Sequence, residues 1–217
     1  MRALLALLVV ACPWPAYAFA IKTTSMGAEV RWTTPHVRLA VLLSGDAERD
    51  RLLQRATRLA AAAWGSTGEV DITVEVTSDA ARMGWDEGTA AANLVAWANG
   101  DWTHDEDMLA LTFLHYATDT GEILDADILV NDEEYGWTDA DEAPRDGDYD
   151  LANALTHELG HALGLGHSDV LAATMFPSSS SMEISKRDLD ADDEEGLRAV
   201  YADVEDPTVT ETLIMTS

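Results

Sequence analysis

Apolar and polar positions recur along this chain with strand-like and helix-like periods, and each stretch marks an element. "VRLAVLL" at 37–43 is an uninterrupted apolar run bounded by turn residues, the pattern of a buried strand. "GD" at 45–46 then offers a turn and a helix cap. Leu52, Ala56, Leu59, Ala60 and Ala63 follow at helical spacing, which predicts an amphipathic helix from about Ala47 to Trp64. "DITVEVT" at 71–77 alternates apolar and polar residues, and "NLVAWAN" at 93–99 and "LALTFLHY" at 109–116 are also strand-like. "TDTGE" places a hairpin turn at Gly121, and "ILDADILVN" at 123–131 is the return strand. Strand, helix and then several strands fit a twisted mixed sheet with helices packed on it.

The last third reads differently. "WTDADEAPRDGDYD" at 137–150 is polar, contains Pro144 and Gly147, and is expected as a surface loop, with Asp148 or Asp150 capping the helix "LANALTHELGHALG". "SSSS" at 178–181 marks a later loop. Leu197, Val200 and Tyr201 form the stripe of a last helix, expected from about Asp188 to Tyr201, and the residues after Ala202 read as a loosely held tail. At the other end, Arg2, the apolar run Ala3–Ala11 and the small residues Ala16, Ala18 and Ala20 have the anatomy of a secretory signal peptide, 1–18, cut after Ala18 or Ala20. The run is too short to span a membrane. "VVAC" also resembles a lipoprotein signal with Cys12 lipidated, but the cleavage sites downstream favour soluble export.

Composition narrows the function classes. The 217 residues are 47% hydrophobic, enough for one domain with a core of ordinary size. Thirteen basic against 40 acidic residues give a formal charge of -27, which argues against nucleic acid or an anionic membrane as partner. The acidic runs read as a solvated surface, or in part as calcium ligands. Cys12 is the only cysteine, so the exported chain holds no disulfide and relies on packing and bound metal.

Three of the six histidines fall in "THELGHALGLGHS", 156–168. On a helix His157 and His161 lie about 40° apart around the axis and roughly 6 Å along it, so both imidazoles can reach one ion. Leu151, Leu155, Leu159 and Ala162 occupy another side, toward the core. Gly164 and Gly166 can end the helix and turn the chain so that His167 closes on the same ion. Three neutral nitrogens leave one position of a tetrahedral zinc open to water, the pattern of a catalytic site. Glu158 stands beside His157, placed to accept a proton from that water, so the residues imply hydrolysis of a peptide bond without a covalent intermediate. At this chain's own residue frequencies the pattern H-E-x-x-H-x-x-G-x-x-H would arise by chance in roughly two of a hundred thousand such chains.

"HELGHALGLGH" resembles the metzincin clan of zinc endopeptidases. The resemblance implies a methionine turn beneath the metal, and "ATMFP" supplies Met175 and Pro177, with Met175 packing under the ligands without binding. Ser168 and "DDEEGLRAVY" at 192–201 are similar to the matrixin branch, and "GEILDADILVN" with "DYDLANALTHELGH" resembles bacterial matrixin-like secreted proteases; the likeness is strongest from Leu109 to Tyr201. It implies that "LALTFLHY" is the antiparallel edge strand of the cleft, to which an extended polypeptide adds by backbone hydrogen bonds, and that "PSSSSMEIS" at 177–185 walls the pocket for the residue after the scissile bond. The chain departs from that branch in two ways. It has no cysteine to block the zinc from a propeptide, so control is expected through export or an inhibitor. Asp127 stands where a structural-zinc histidine is usual, leaving His104 and His115, of which His115 reads as a strand residue near the cleft. Calcium could draw on Asp119, Glu122, Asp125, Asp132, Glu133 and Glu134.

The reading is therefore an α/β metzincin-like domain over 19–217. Its upper lobe of mixed sheet and active-site helix runs to about 166; a lower lobe at 167–202 carries the methionine turn and last helix, with the tail at 203–217. The expected protein is a secreted, monomeric zinc endopeptidase with His157, His161 and His167 as ligands and Glu158 as general base. A secreted metal-stabilised binding protein without turnover, or a zinc hydrolase of a non-peptide amide, would carry the same motif.

Overall fold

A computed structural model of the chain describes residues 18–78, 83–84, 92–142 and 145–204. Residues 1–17 of the expected signal peptide, Cys12 among them, and all but the first two residues of the expected tail lie outside them. Strand β1 (His36–Leu42) alternates, with Val37, Leu39 and Val41 buried. It pairs in parallel with β2 (Asp71–Thr77) on one side and β3 (Asn93–Trp97) on the other. Parallel neighbours need a crossover, and helix α1 (Ala47–Gly65) supplies it, capped by the Asp46 carboxylate accepting from the Glu48 and Arg49 amides. All five residues of β3 are buried because it is the middle strand.

Strand β5 (Ile123–Val130) joins β3 in parallel, and β4 (Ala110–Tyr116) runs antiparallel to β5, giving the order β2-β1-β3-β5-β4 with β4 at the edge. The β4–β5 hairpin turns at Gly121, whose φ of 78° lies in the left-handed region. A side chain there would also strike the Glu29 carbonyl, at 2.0 Å from an added Cβ. The mixed sheet matches what the alternation of residues predicts, and the antiparallel edge matches what the resemblance implies.

Helix α2 (Leu151–Ala162) starts at Asp150, whose Oδ1 accepts from the Asn153 amide at 2.7 Å. Leu151, Leu155, Leu159 and Ala162 are all buried, as the helical count requires. Trp64 of α1 donates its indole N–H to the Thr156 carbonyl at 2.8 Å, pinning the two helices together. The polar stretch 137–150 is not wholly loop: β6 (Trp137–Thr138) and β7 (Tyr149–Asp150) pair in parallel. Two-residue strands have no period to read, so only the tertiary pairing reveals them. The last helix, α3 (Ala191–Tyr201), begins at the cap Asp190, in a capping box with Asp193, rather than at Asp188.

Candidate metal centre

The site forms where α2 faces the edge strand. His157 and His161 project from α2, which ends when Gly164 takes φ 97° and the Leu165 amide reaches back to the Gly160 carbonyl at 3.0 Å. Gly164 alone makes the left-handed turn. Gly166 is not left-handed; its amide donates to the Ala20 carbonyl at 2.7 Å, and an added Cβ would sit 3.1 Å from that of Ala20. The chain reverses and brings His167 back, so that ring nitrogens of His157, His161 and His167 all lie within 4.8 Å of one another. Among the described residues no other three histidine, cysteine or carboxylate groups converge in this way.

The donor set fits a zinc ion. His157 Nδ1 faces the Thr174 carbonyl at 2.7 Å and His161 Nδ1 the Leu165 carbonyl at 2.9 Å. A carbonyl can only accept, so each Nδ1 carries the proton and each Nε2 keeps its lone pair for the centre of the triad. Nε2 of His161 lies 3.2 Å from Nε2 of His167. Burial pushes His157 down to about 4 and His161 to about 3, so both are neutral at ordinary pH, the form that ligates.

Glu158, buried beside them, has Oε2 2.6 Å from the hydroxyl of Thr112 on β4, and that hydroxyl also lies 3.0 Å from the Glu158 carbonyl. Burial raises the Glu158 carboxyl to about 7, against the opposing pull of the Thr112 hydrogen bond and the Lys22 charge. Beneath the helix, Met175 is buried, and a Cβ on Gly160 would meet its sulfur at 2.3 Å and the Trp64 ring at 2.7 Å. The methionine turn is held from α3: Asp193 accepts from the Thr174 amide at 2.7 Å and the Met175 amide at 3.0 Å. Ser168, next to the third histidine, donates to Asp192 at 2.6 Å. Thr112, Thr174, Gly160 and Asp193 are therefore part of the site's frame. All four lie within stretches singled out in the sequence, but none of these roles is marked there.

The other candidate ligands are dispersed. His104 packs its ring on Trp102 and Phe113, while His115 sits opposite Asp125 in the β4–β5 register. Asp132 pairs with Arg49 and accepts from the Asn99 amide, Glu133 accepts from the Trp102 amide, and Glu122 accepts from Thr33. Asp127 accepts from the Leu94 and Gly84 amides, and Asp125 is buried against it, raised to about 7 by burial, by the Asp127 charge and by its hydrogen bond to Asp127.

A mixed sheet with one antiparallel edge, and a histidine triad spread over a helix and the turn that follows it, define the metzincin class of fold. The model of the matrixin family matches residues 93–202, just over half of the chain, and the chain belongs to that family of zinc-dependent metalloendopeptidases. It is similar to interstitial collagenase of Bos taurus, at 34% identity over 98 residues covering 44% of this chain and 19% of that protein. It is also similar to matrilysin of Rattus norvegicus, at 29% over 155 residues covering 70% and 50%, and to metalloendoproteinase 1 of Glycine max, at 41% over 63 residues covering 29% and 20%. The chain thus spans half or less of the length of these relatives. No helix among the described residues is long and apolar enough to cross a membrane.

Proposed function

We propose that this chain is a secreted zinc endopeptidase, with His157, His161 and His167 holding the metal and Glu158 acting as general base. The observation that carries the reading is the convergence of three imidazoles beside one buried carboxyl on the wall of a cleft of about 690 Å³. Zinc bound there would acidify a water and polarise the scissile carbonyl. Glu158, with a carboxyl pushed to about 7, takes a proton from the attacking water and returns it to the leaving amine, so no covalent intermediate is needed. Thr112 holds one carboxylate oxygen on the strand side, which leaves the other to receive the proton. The exposed edge of β4 offers backbone groups to an extended polypeptide, which would lie across the triad as a further strand.

On this reading residues 19–217 form one catalytic unit released from the signal segment 1–18, acting as a monomer. Met175 supports the triad from below without ligating. The test uses the purified exported chain, loaded with zinc, on unfolded casein with and without a chelator, beside Glu158→Ala. Cleavage by the native chain is expected to vanish with chelation and to fall by about 10²–10⁴-fold in the variant, while zinc stays at one equivalent. If both proteins are equally inert with zinc bound, the peptidase reading fails and a metal-stabilised binding protein replaces it. Cleavage of small amides but not of casein would instead support a non-peptide hydrolase.

A further inference from the structure

The chain has only two lysines, Lys22 and Lys186, and both line the cleft that holds the triad. In a molecule of charge -27 this is the reverse of the surface average. The charge of Lys22 bears on His161, His167 and Glu158, and that of Lys186 on His157 and His167. Lys22 is half-buried, whereas Lys186 is 3% exposed.

Lys186 is the informative one. Its Nζ donates to the Phe176 carbonyl at 2.5 Å and the Ser178 carbonyl at 2.7 Å, and lies 5.8 Å from the centre of the Phe176 ring. An ammonium carries three N–H groups, so one is left without an acceptor among the described residues. No ion pair forms at either lysine among those residues, although two carboxylates are near Lys186. Glu183 is occupied by the Ser180 amide and by the hydroxyls of Ser179 and Ser185. Asp193 is occupied by the amides of Thr174, Met175 and Asp190. A buried charge without an opposite charge in contact is costly, and an anion entering the cleft would relieve that cost.

Resting on the peptidase reading of the same site, we propose that Lys186 selects substrates carrying an acidic side chain next to the scissile bond, seating its carboxylate against the wall Phe176–Ser179. Lys22, half-buried in the same cleft, favours the approach of the same acidic segments. The cleft thereby prefers peptides that the rest of the acidic surface repels, which confines productive binding to one place.

The test is a set of fluorogenic peptides in which Glu, Gln or Leu is placed in turn at each position flanking the cleaved bond. Cleavage and binding are both measured, the latter by anisotropy on the zinc-loaded Glu158→Gln protein, where turnover is suppressed. At one position Glu is expected to exceed Gln by about tenfold in kcat/KM and in affinity. Lys186→Met is expected to bring the ratio to within about twofold, and Lys186→Arg to restore most of it. If Lys186→Met does not fold, the comparison of Glu and Gln on the native chain decides alone. Equal handling of Glu and Gln at every position, or a ratio that survives Lys186→Met, overturns the proposal and leaves Lys186 as a tie for the Phe176–Ser178 backbone. The two readings fail separately. Casein cleaved without Glu preference sinks this one only, while Lys186-dependent, Glu-selective binding without any cleavage sinks the peptidase reading and keeps Lys186 as the seat of an acidic side chain.

Discussion

Two buried carboxyls, Glu158 and Asp125, take different tasks here because their surroundings differ. Glu158 is held by one hydroxyl and faces the cleft, whereas Asp125 is buried beside Asp127, on strand β5 away from the triad. Asp127 is tied by two amides and remains the natural anion of the pair, so Asp125 keeps its proton to about 7. Because that value lies above the 3.8 of a free aspartate, the folded chain binds more protons than the unfolded chain between those limits. The pair's contribution to stability is therefore full below about 4 and declines as pH rises toward 7. Asp125→Asn cannot ionise and keeps a donor toward Asp127. Relative to the native chain it is expected to gain roughly 1–3 kcal/mol on going from about pH 5 to about pH 8. Denaturant unfolding of both proteins across that range measures the difference, and parallel curves would remove the shared proton from the account.

At the scale of elements, the geometry of the triad is set by what lies under α2. Gly160 lets α2 lie directly on Met175 and on the Trp64 ring, which is fixed by its hydrogen bond to Thr156. Gly160→Ala improves helix propensity by up to about 1 kcal/mol. It also places a methyl 2.7 Å from a ring that cannot swing away. The clash is expected to win, destabilising the fold by about 1–3 kcal/mol and lowering zinc affinity, because α2 must lift with its two histidines. Thermal unfolding and a competitive zinc titration check both effects; a more stable variant with unchanged affinity would show that the Trp64 contact is slack. The same contrast explains what was legible in the chain. Periodicity located β1, α1, β2, the β4–β5 hairpin and α2, and the spacing of His157, His161 and His167 marked the triad, since each depends on neighbours in sequence. Thr112, Asp193 and Lys186 act across 46, 18 and 10 residues respectively, to Glu158, Met175 and Phe176, and no local pattern announces such contacts. β6 and β7 are hidden in the sequence for the same reason, and Gly166 reads like a turn residue although here it marks the close approach of Ala20.

Across the whole molecule the charge is distributed in a way that local pairs do not neutralise. Arg49, Arg55, Arg145, Arg187 and Arg198 each pair with one or more carboxylates, and both lysines sit in the cleft. Forty acidic residues against 13 basic leave a large surplus of anions repelling one another over the surface. Added salt acts on the two kinds of interaction unequally. The ion pairs are in contact, well inside the Debye length of about 10 Å at 0.1 M, and lose little; the surplus repulsion acts over longer distances and is screened. Salt is therefore expected to stabilise this fold, raising Tm by about 3–6 °C between roughly 0.02 and 0.5 M NaCl with zinc held saturating. KCl should act equally, because screening does not distinguish the cations. Calcium chloride at matched ionic strength gives the informative comparison, since a gain beyond that of NaCl requires specific binding by carboxylates such as Asp119, Glu133 or Glu134 rather than screening. A Tm that stays flat or falls with NaCl would mean that contact ion pairs outweigh the repulsion, and that the net charge does not govern the stability of this fold.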